Sequence, residues 1–310
     1  MSETAVQAPE TQSPIAGNAV GRLRPWRDPW RKPRVLASFT WLYLAWSILP
    51  VAIAVLFSFN NGRSRSSWQG FSLRWYYQDP VLSVWHDPDL HTALFQTLRL
   101  AGLTTLIAVP IGVAFAIGID RWRGRLPAAF NFQMLLSFVM PELIIGVTLL
   151  LVVSNLFTFL HLGTTAQVLG LITFQISYPV IIVRARLLTM GRDYEEAAMD
   201  LGASPTQALR RVLLPLLYPA IFASAVLVFA DVIDDFVIVR YLSSDASTEP
   251  MAVKIFNGAR SSPTPALNAL ATLMLAFSLV MVLIGFLVYR RMTRGERRQK
   301  AALGDLAAQI

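Results

Sequence analysis

Six separate runs of mainly apolar residues constrain this chain more than any other feature: Val35 to Phe59, Leu94 to Ile119, Phe132 to Val153, Ala166 to Leu188, Leu216 to Val239 and Pro265 to Tyr289. At a rise of about 1.5 Å per residue, a helix of about 20 residues matches a hydrocarbon core about 30 Å thick. That core holds no water to satisfy backbone N–H and C=O groups, so each run is expected to be a helix. Composition agrees: 55% of the 310 residues are hydrophobic, 15% are charged, and the mean hydropathy is +0.51. Such a chain cannot present an ordinary polar surface to water. The expected fold is all-α, a polytopic membrane protein whose six transmembrane helices form one bundle over residues 35–289.

A net charge of +8 raises nucleic acid as a partner, and the placement of the cations removes it. Arg22, Arg24, Arg27, Arg31, Lys32 and Arg34 precede the first run, and Arg121, Arg123 and Arg125 follow the second. Arg184, Arg186, Arg192, Arg210 and Arg211 flank the connection between the fourth and fifth, and more lie in the tail from Arg290 to Lys300. The alternate connections hold only Arg63, Arg65, Arg74, Lys254 and Arg260. By the positive-inside rule, both termini and the 193–215 connection face the cytoplasm. The excess charge is topology, with membrane lipid as the surroundings and no nucleic acid. Residues 1–34 read as a mostly disordered cytoplasmic tail and 290–310 as a basic cytoplasmic tail. The first run is too long for a signal-peptide core and lacks a small-residue cleavage site after it, so it reads as a retained anchor. Outside, Asn60 to Leu90 carries "WQGFSLRWYYQDP", either an interfacial aromatic belt or a docking surface.

The cytoplasmic connection "DYEEAAMDLGASPTQALRRVLLP" is the polar exception. Asp193 with Glu196 three residues on has the pattern of a capping box, and Gly202 stands where a helix would need a left-handed terminator. Ser204 followed by Pro205 repeats the start signal. Two short helices at an angle are expected below the membrane, before Pro215 and Pro219 admit the fifth span.

Glu196-Ala197-Ala198, Gly202, Val212 and Leu214-Pro215, at these spacings, resemble the EAA loop of ABC-importer membrane subunits, with Val212 where the family usually has isoleucine. The resemblance implies a type I importer permease in which Glu196, Ala197, Ala198, Gly202 and Pro215 belong to the loop that docks in an ATPase subunit. The chain has no G-x-x-x-x-G-K-[ST] phosphate loop, so ATP and Mg are expected in that partner and no cofactor in this chain. Neither a His/Glu metal pair nor a G-x-S-x-G elbow is present, and His86, His91 and His161 have no partner spacing.

The fifth run contains "FADVIDDFVIVR". Three and four residues apart in the expected helix, Asp231, Asp234 and Asp235 share one face. An acid at a helix centre costs about 2.5–3.5 kcal/mol to insert, so that face must meet protein or water rather than lipid. Pairing with Arg99 or Arg240 is one way to satisfy it; attracting a cationic solute is the other. Glu142 follows Pro141 in "MPELIIG", where the proline interrupts the backbone ladder and a second acid reaches the interior.

Asp234-Asp235 within "VIDDFVIV", Pro141-Glu142 and "LNALATLMLAFSLVMV" resemble the spermidine/putrescine permeases of the PotC type, from the first run to the last. Asp231 is additional to the family's usual acidic pair. The resemblance implies a bacterial inner membrane importer of polyamines, built with a PotB-like second permease, an ATPase dimer and an external substrate-binding protein. Two alternatives stay open: a related importer for another solute such as a phosphonate, and a proton-coupled secondary transporter using the acids as a relay. For a third reading, an intramembrane hydrolase, the sequence offers no recognisable constellation of nucleophile and base.

Overall fold

The computed structural model describes residues 34–64, 67–121, 126–157, 159–261 and 264–307. The expected tail over 1–33, with its arginines, and Arg65, Arg123 and Arg125 lie outside them. Among the described residues the regular structure is helical, apart from one β-bridge between Asn60 and Phe71. The chain divides between Val51 and Ala52 into two units.

Helix α1, Arg34–Ser58, begins in the first unit, where Phe39, Trp41, Tyr43 and Trp46 are exposed. The second unit is organised on α2, Pro88–Arg121, against which α5 (Thr164–Gln175), α6 (Ser177–Met190) and α9 (Leu214–Asp234) pack. Leu100, Val109 and Val113 of α2 meet Leu171, Val183, Leu217 and Val228 in its main apolar core. Helix α12, Pro265–Ala307, packs on α9 and continues through the segment expected to be only a tail.

Among the described residues five helical stretches are long and apolar enough to cross a membrane, and they cover five of the six expected runs: Val35–Ser58, Pro88–Arg121, Thr164–Met190, Pro205–Asp234 and Pro265–Arg291. The run expected over Phe132 to Val153 is divided. Helix α3, Leu126–Val139, stops before Pro141, and α4, Glu142–Leu151, starts after it and extends as a π turn through Leu156. Proline has no N–H and disfavours helical geometry in the residue before it, so the ladder breaks there.

Residues 60–90, between the first two runs, form a folded cap. Trp75 is 0% exposed, and its indole N–H donates to the carbonyl of Asn60 at 2.6 Å. Asn60 in turn donates to Ser64 and Ser67 and accepts from the N–H of Gln69. Asp79 accepts from the N–H groups of Leu82 and Val81 and pairs with Arg74 at 2.8 Å. These backbone donors, followed by Arg74, hold its carboxyl down at about 2. Trp68, Phe71, Tyr77 and Trp85 remain exposed on the cap.

Candidate functional site

In the connection between the fourth and fifth runs, Gly191 takes a positive φ of 68° after α6, and α7, Asp193–Asp200, begins two residues later. The expected capping box of Asp193 with Glu196 is absent. Arg192 occupies the cap position, Asp193 is already in the first turn, and no side chain caps the helix. The three acids of that turn, Asp193, Glu195 and Glu196, stand instead beside the positive end of the helix dipole. Adjacent residues on a helix point about 100° apart, and here that separates two glutamates. Glu195 forms an ion pair with Arg121 at the end of α2, whereas Glu196 and Ala197 are exposed.

Helix α7 buries no side chain. Gly202 ends it as expected, with φ +88° and Ala203 donating to the carbonyl of Ala198 at 3.0 Å. Nothing lies within 4 Å of a Cβ built on Gly202, so its requirement is backbone conformation and not space. Leu201 beside it is 91% exposed, and Tyr194 and Met199 are exposed too. The loop thus presents an apolar and acidic knob.

The second start signal is realised. Ser204 accepts from the N–H of Gln207 at 3.4 Å, and Gln207 accepts from the N–H of Ser204 at 3.0 Å. The helix it opens is not separate from the fifth span, however. Helix α8, Pro205–Ala208, runs through a π turn at Leu209–Leu213 directly into α9. The widened turn lies where the ring and missing N–H of Pro215 would disturb a regular α-helical ladder.

At the other end of α9 the expected acidic face is split. Asp231 and Asp234 remain on the helix three residues apart, half-buried and exposed respectively. Asp235 leaves it: the backbone turns to φ −59°, ψ 123°, its side chain is 8% exposed, and it accepts from the N–H of Val239 at 3.2 Å. It therefore supports the start of α10, Val237–Leu242, instead of sharing a face with Asp231. Neither arginine considered as a partner pairs with these acids; Arg240 lies 3.6 Å from Glu249. Glu142 opens α4 and is exposed. Its helix is held against α10 at Gly146, where a Cβ would come within 2.9 Å of Tyr241.

The four carboxylates form one electrostatic neighbourhood. Asp235 is reached by Glu142 and Asp231, Asp234 by Asp231, and the hydroxyl of Tyr178 by Asp231, Glu142 and Asp235. Gln175, 0% exposed, donates to Asp231 at 2.7 Å, and its carbonyl oxygen is buried without a partner. Gln175 and Tyr178 were not anticipated from the sequence. The signal available was "QISYP", three polar side chains and a proline inside an apolar run, where α5 gives way to α6 at Ile176. Among the described residues no three His, Cys, Asp or Glu side chains group as a metal site requires.

Residues 108–299, more than half of the chain, match the family model of binding-protein-dependent transport system inner membrane components. The putrescine transport system permease PotI of Escherichia coli (strain K12) is 33% identical over 88% of this chain and 94% of its own length. The spermidine/putrescine permease PotC of the same strain is 32% identical over 81% and 92%. Among solved structures, a bacterial ABC transporter involved in import of the acidic polysaccharide alginate superposes with a TM-score of 0.68. It covers 84% of this chain and 96% of its own at 16% identity, a likeness of fold alone.

Proposed function

This chain belongs to the inner membrane components of binding-protein-dependent transport systems, and on that premise we propose that the solute it passes is a polyamine such as putrescine or spermidine. It is the multi-pass permease subunit of an ABC importer, a transport component and not an enzyme, from a family that works with a separate ATPase and a periplasmic binding protein. The observation that carries the solute reading is the acid neighbourhood of Asp231, Asp234, Asp235 and Glu142 at two helix breaks. A polyamine is a flexible chain bearing several ammonium groups, and a set of carboxylates attracts it without rigid stereochemistry. Fold alone does not select the solute, since the alginate transporter shares it.

The full assembly in this reading pairs the chain with a PotB-like second permease, an ATPase dimer that uses ATP and Mg, and an external binding protein. The chain itself binds no cofactor, and both termini lie in the cytoplasm. Glu196, Ala197, Ala198 and Gly202 form the knob that enters the ATPase, and Pro215 fixes the return to the membrane. The test is uptake of radiolabelled putrescine and spermidine into proteoliposomes holding all four components. The expected result is uptake that stops on ATP depletion and survives collapse of the proton gradient. Uptake with the reverse dependence would indicate a proton-coupled transporter; uptake of neither amine by an ATP-hydrolysing assembly would move the solute elsewhere.

A further inference from the structure

The cytoplasmic knob has almost no apolar hold on the protein that it must move. Helix α7 buries no side chain, and behind it lies a cleft of about 330 Å³ lined by Ile117, Arg121, Arg192, Glu195, Met199 and Leu209. Hydrophobic burial scales with area removed from water, so packing alone fixes α7 weakly. The polar groups in the cleft make the connection instead. Arg121, the last residue of α2, places one guanidinium nitrogen on Glu195 and another on Asp120 at 2.6 Å. Arg192, just before α7, donates to the backbone carbonyl of Asp120 at 3.0 Å.

This joint sits where two helix dipoles favour it. Arg121 lies at the carbonyl-rich end of α2 and Glu195 at the amide-rich end of α7. The side chains are 24% and 15% exposed, so the pair is screened less than an open surface pair. At the far end of the same helix, Asp89 pairs with Lys254 of α11, Met251–Ser261, at 2.9 Å. Nearby, the N–H of Met251 donates to the hydroxyl of Thr97 in a buried bond of 2.8 Å. Helix α2 is 34 residues, about 50 Å at the usual rise, and is thus tied to the cytoplasmic knob at one end and to an external helix at the other.

We infer that Arg121 is the positioning residue through which displacement of α7 enters α2, and that α2 carries it to the external side at α11. The inference rests on the reading of α7 as the ATPase-facing knob. Coupling of this kind is a free energy between distant sites, and removal of its joint lowers transport per ATP without removing either end.

The chain has no cysteine, so introduced pairs report cleanly. In the four-component proteoliposomes, Leu201→Cys is cross-linked to cysteines on the ATPase surface, while Arg121→Ala, Glu195→Gln and the swap Arg121→Glu with Glu195→Arg are assayed for amine uptake per ATP hydrolysed. The expected result is an efficient cross-link, a fall in the transport-to-ATP ratio of about tenfold in each single variant with assembly retained, and a partial recovery in the swap, which restores the pair but opposes both helix dipoles. A cross-link with an unchanged ratio in assembled Glu195→Gln, which preserves side-chain shape, would overturn the role of the joint while leaving α7 at the ATPase. Absence of the cross-link in an assembled complex would overturn the docking reading and the inference with it.

Discussion

The two ends of the α8–α9 helical run are both sites of helix interruption, made by opposite chemistry. At its N-terminal end the break at Gly202 and restart at Ser204 use local bonds among exposed residues: a glycine in positive φ and a reciprocal pair between Ser204 and Gln207. At the other end the break follows Asp234, and the restart of α10 is supported by the buried carboxylate of Asp235. In water a helix end needs little help, because solvent satisfies what the caps leave. In the bilayer each exposed N–H costs several kcal/mol, so a break survives only where protein supplies the acceptor. One acid is thereby committed to structure, while Asp231 and Asp234 stay on the helix.

That contrast can be broken most strongly at the buried end. Asp235→Ala leaves the Val239 N–H without its acceptor, and a destabilisation of about 1–3 kcal/mol is expected in thermal unfolding of the purified complex, with Asp235→Asn retaining most of the stability. At the exposed end, Gly202→Val places a β-branched residue in positive φ, expected to cost about 1–2 kcal/mol locally. Its readout is ATP hydrolysis that continues while uptake falls; Gly202→Asn should be milder, because asparagine tolerates that conformation better. The mildest substitution is Ser204→Ala, expected to cost about 1 kcal/mol at most because water replaces the lost cap. A drop as large as that of Asp235→Ala would remove the distinction between the two ends.

The cap formed by residues 60–90 offers a pH counterpart. The folded-state carboxyl of Asp79 is lowered to about 2 from 3.8, so its contribution is fully present above the unfolded value and is lost as pH falls from about 4 through 2. Limited proteolysis of the cap should accelerate over that window, and Asp79→Asn should abolish the part of the pH dependence that belongs to this residue.

Much of this was legible in the sequence, unevenly. Run length and backbone satisfaction located the spans, and the paired cues Gly202 and Ser204-Pro205 located the loop's turn, because each rests on local geometry. Pro141 marked the interruption of the third run, although not that it would divide the helix completely. The Asp193–Glu196 pattern misled: it matches a capping box, but after the Gly191 turn α7 starts one residue too early for it, with Arg192 at the cap and Asp193 already in the first turn. Asp235 misled for a related reason, since a period of 3.6 holds only while the helix continues. Gln175, Tyr178 and the Arg121–Glu195 pair come together across more than 50 residues of sequence separation, which periodicity cannot show.

The central claim is a carboxylate-lined route, and Asp231 with Asp234 is the pair that tests it without removing the support that Asp235 gives to α10. ATP-dependent uptake of spermidine by proteoliposomes holding the complete assembly would be compared between the natural chain and Asp231→Asn/Asp234→Asn. The account predicts uptake lowered about tenfold or more with assembly and ATP hydrolysis intact. Unchanged uptake in the double variant would contradict it and return these acids to a purely structural role.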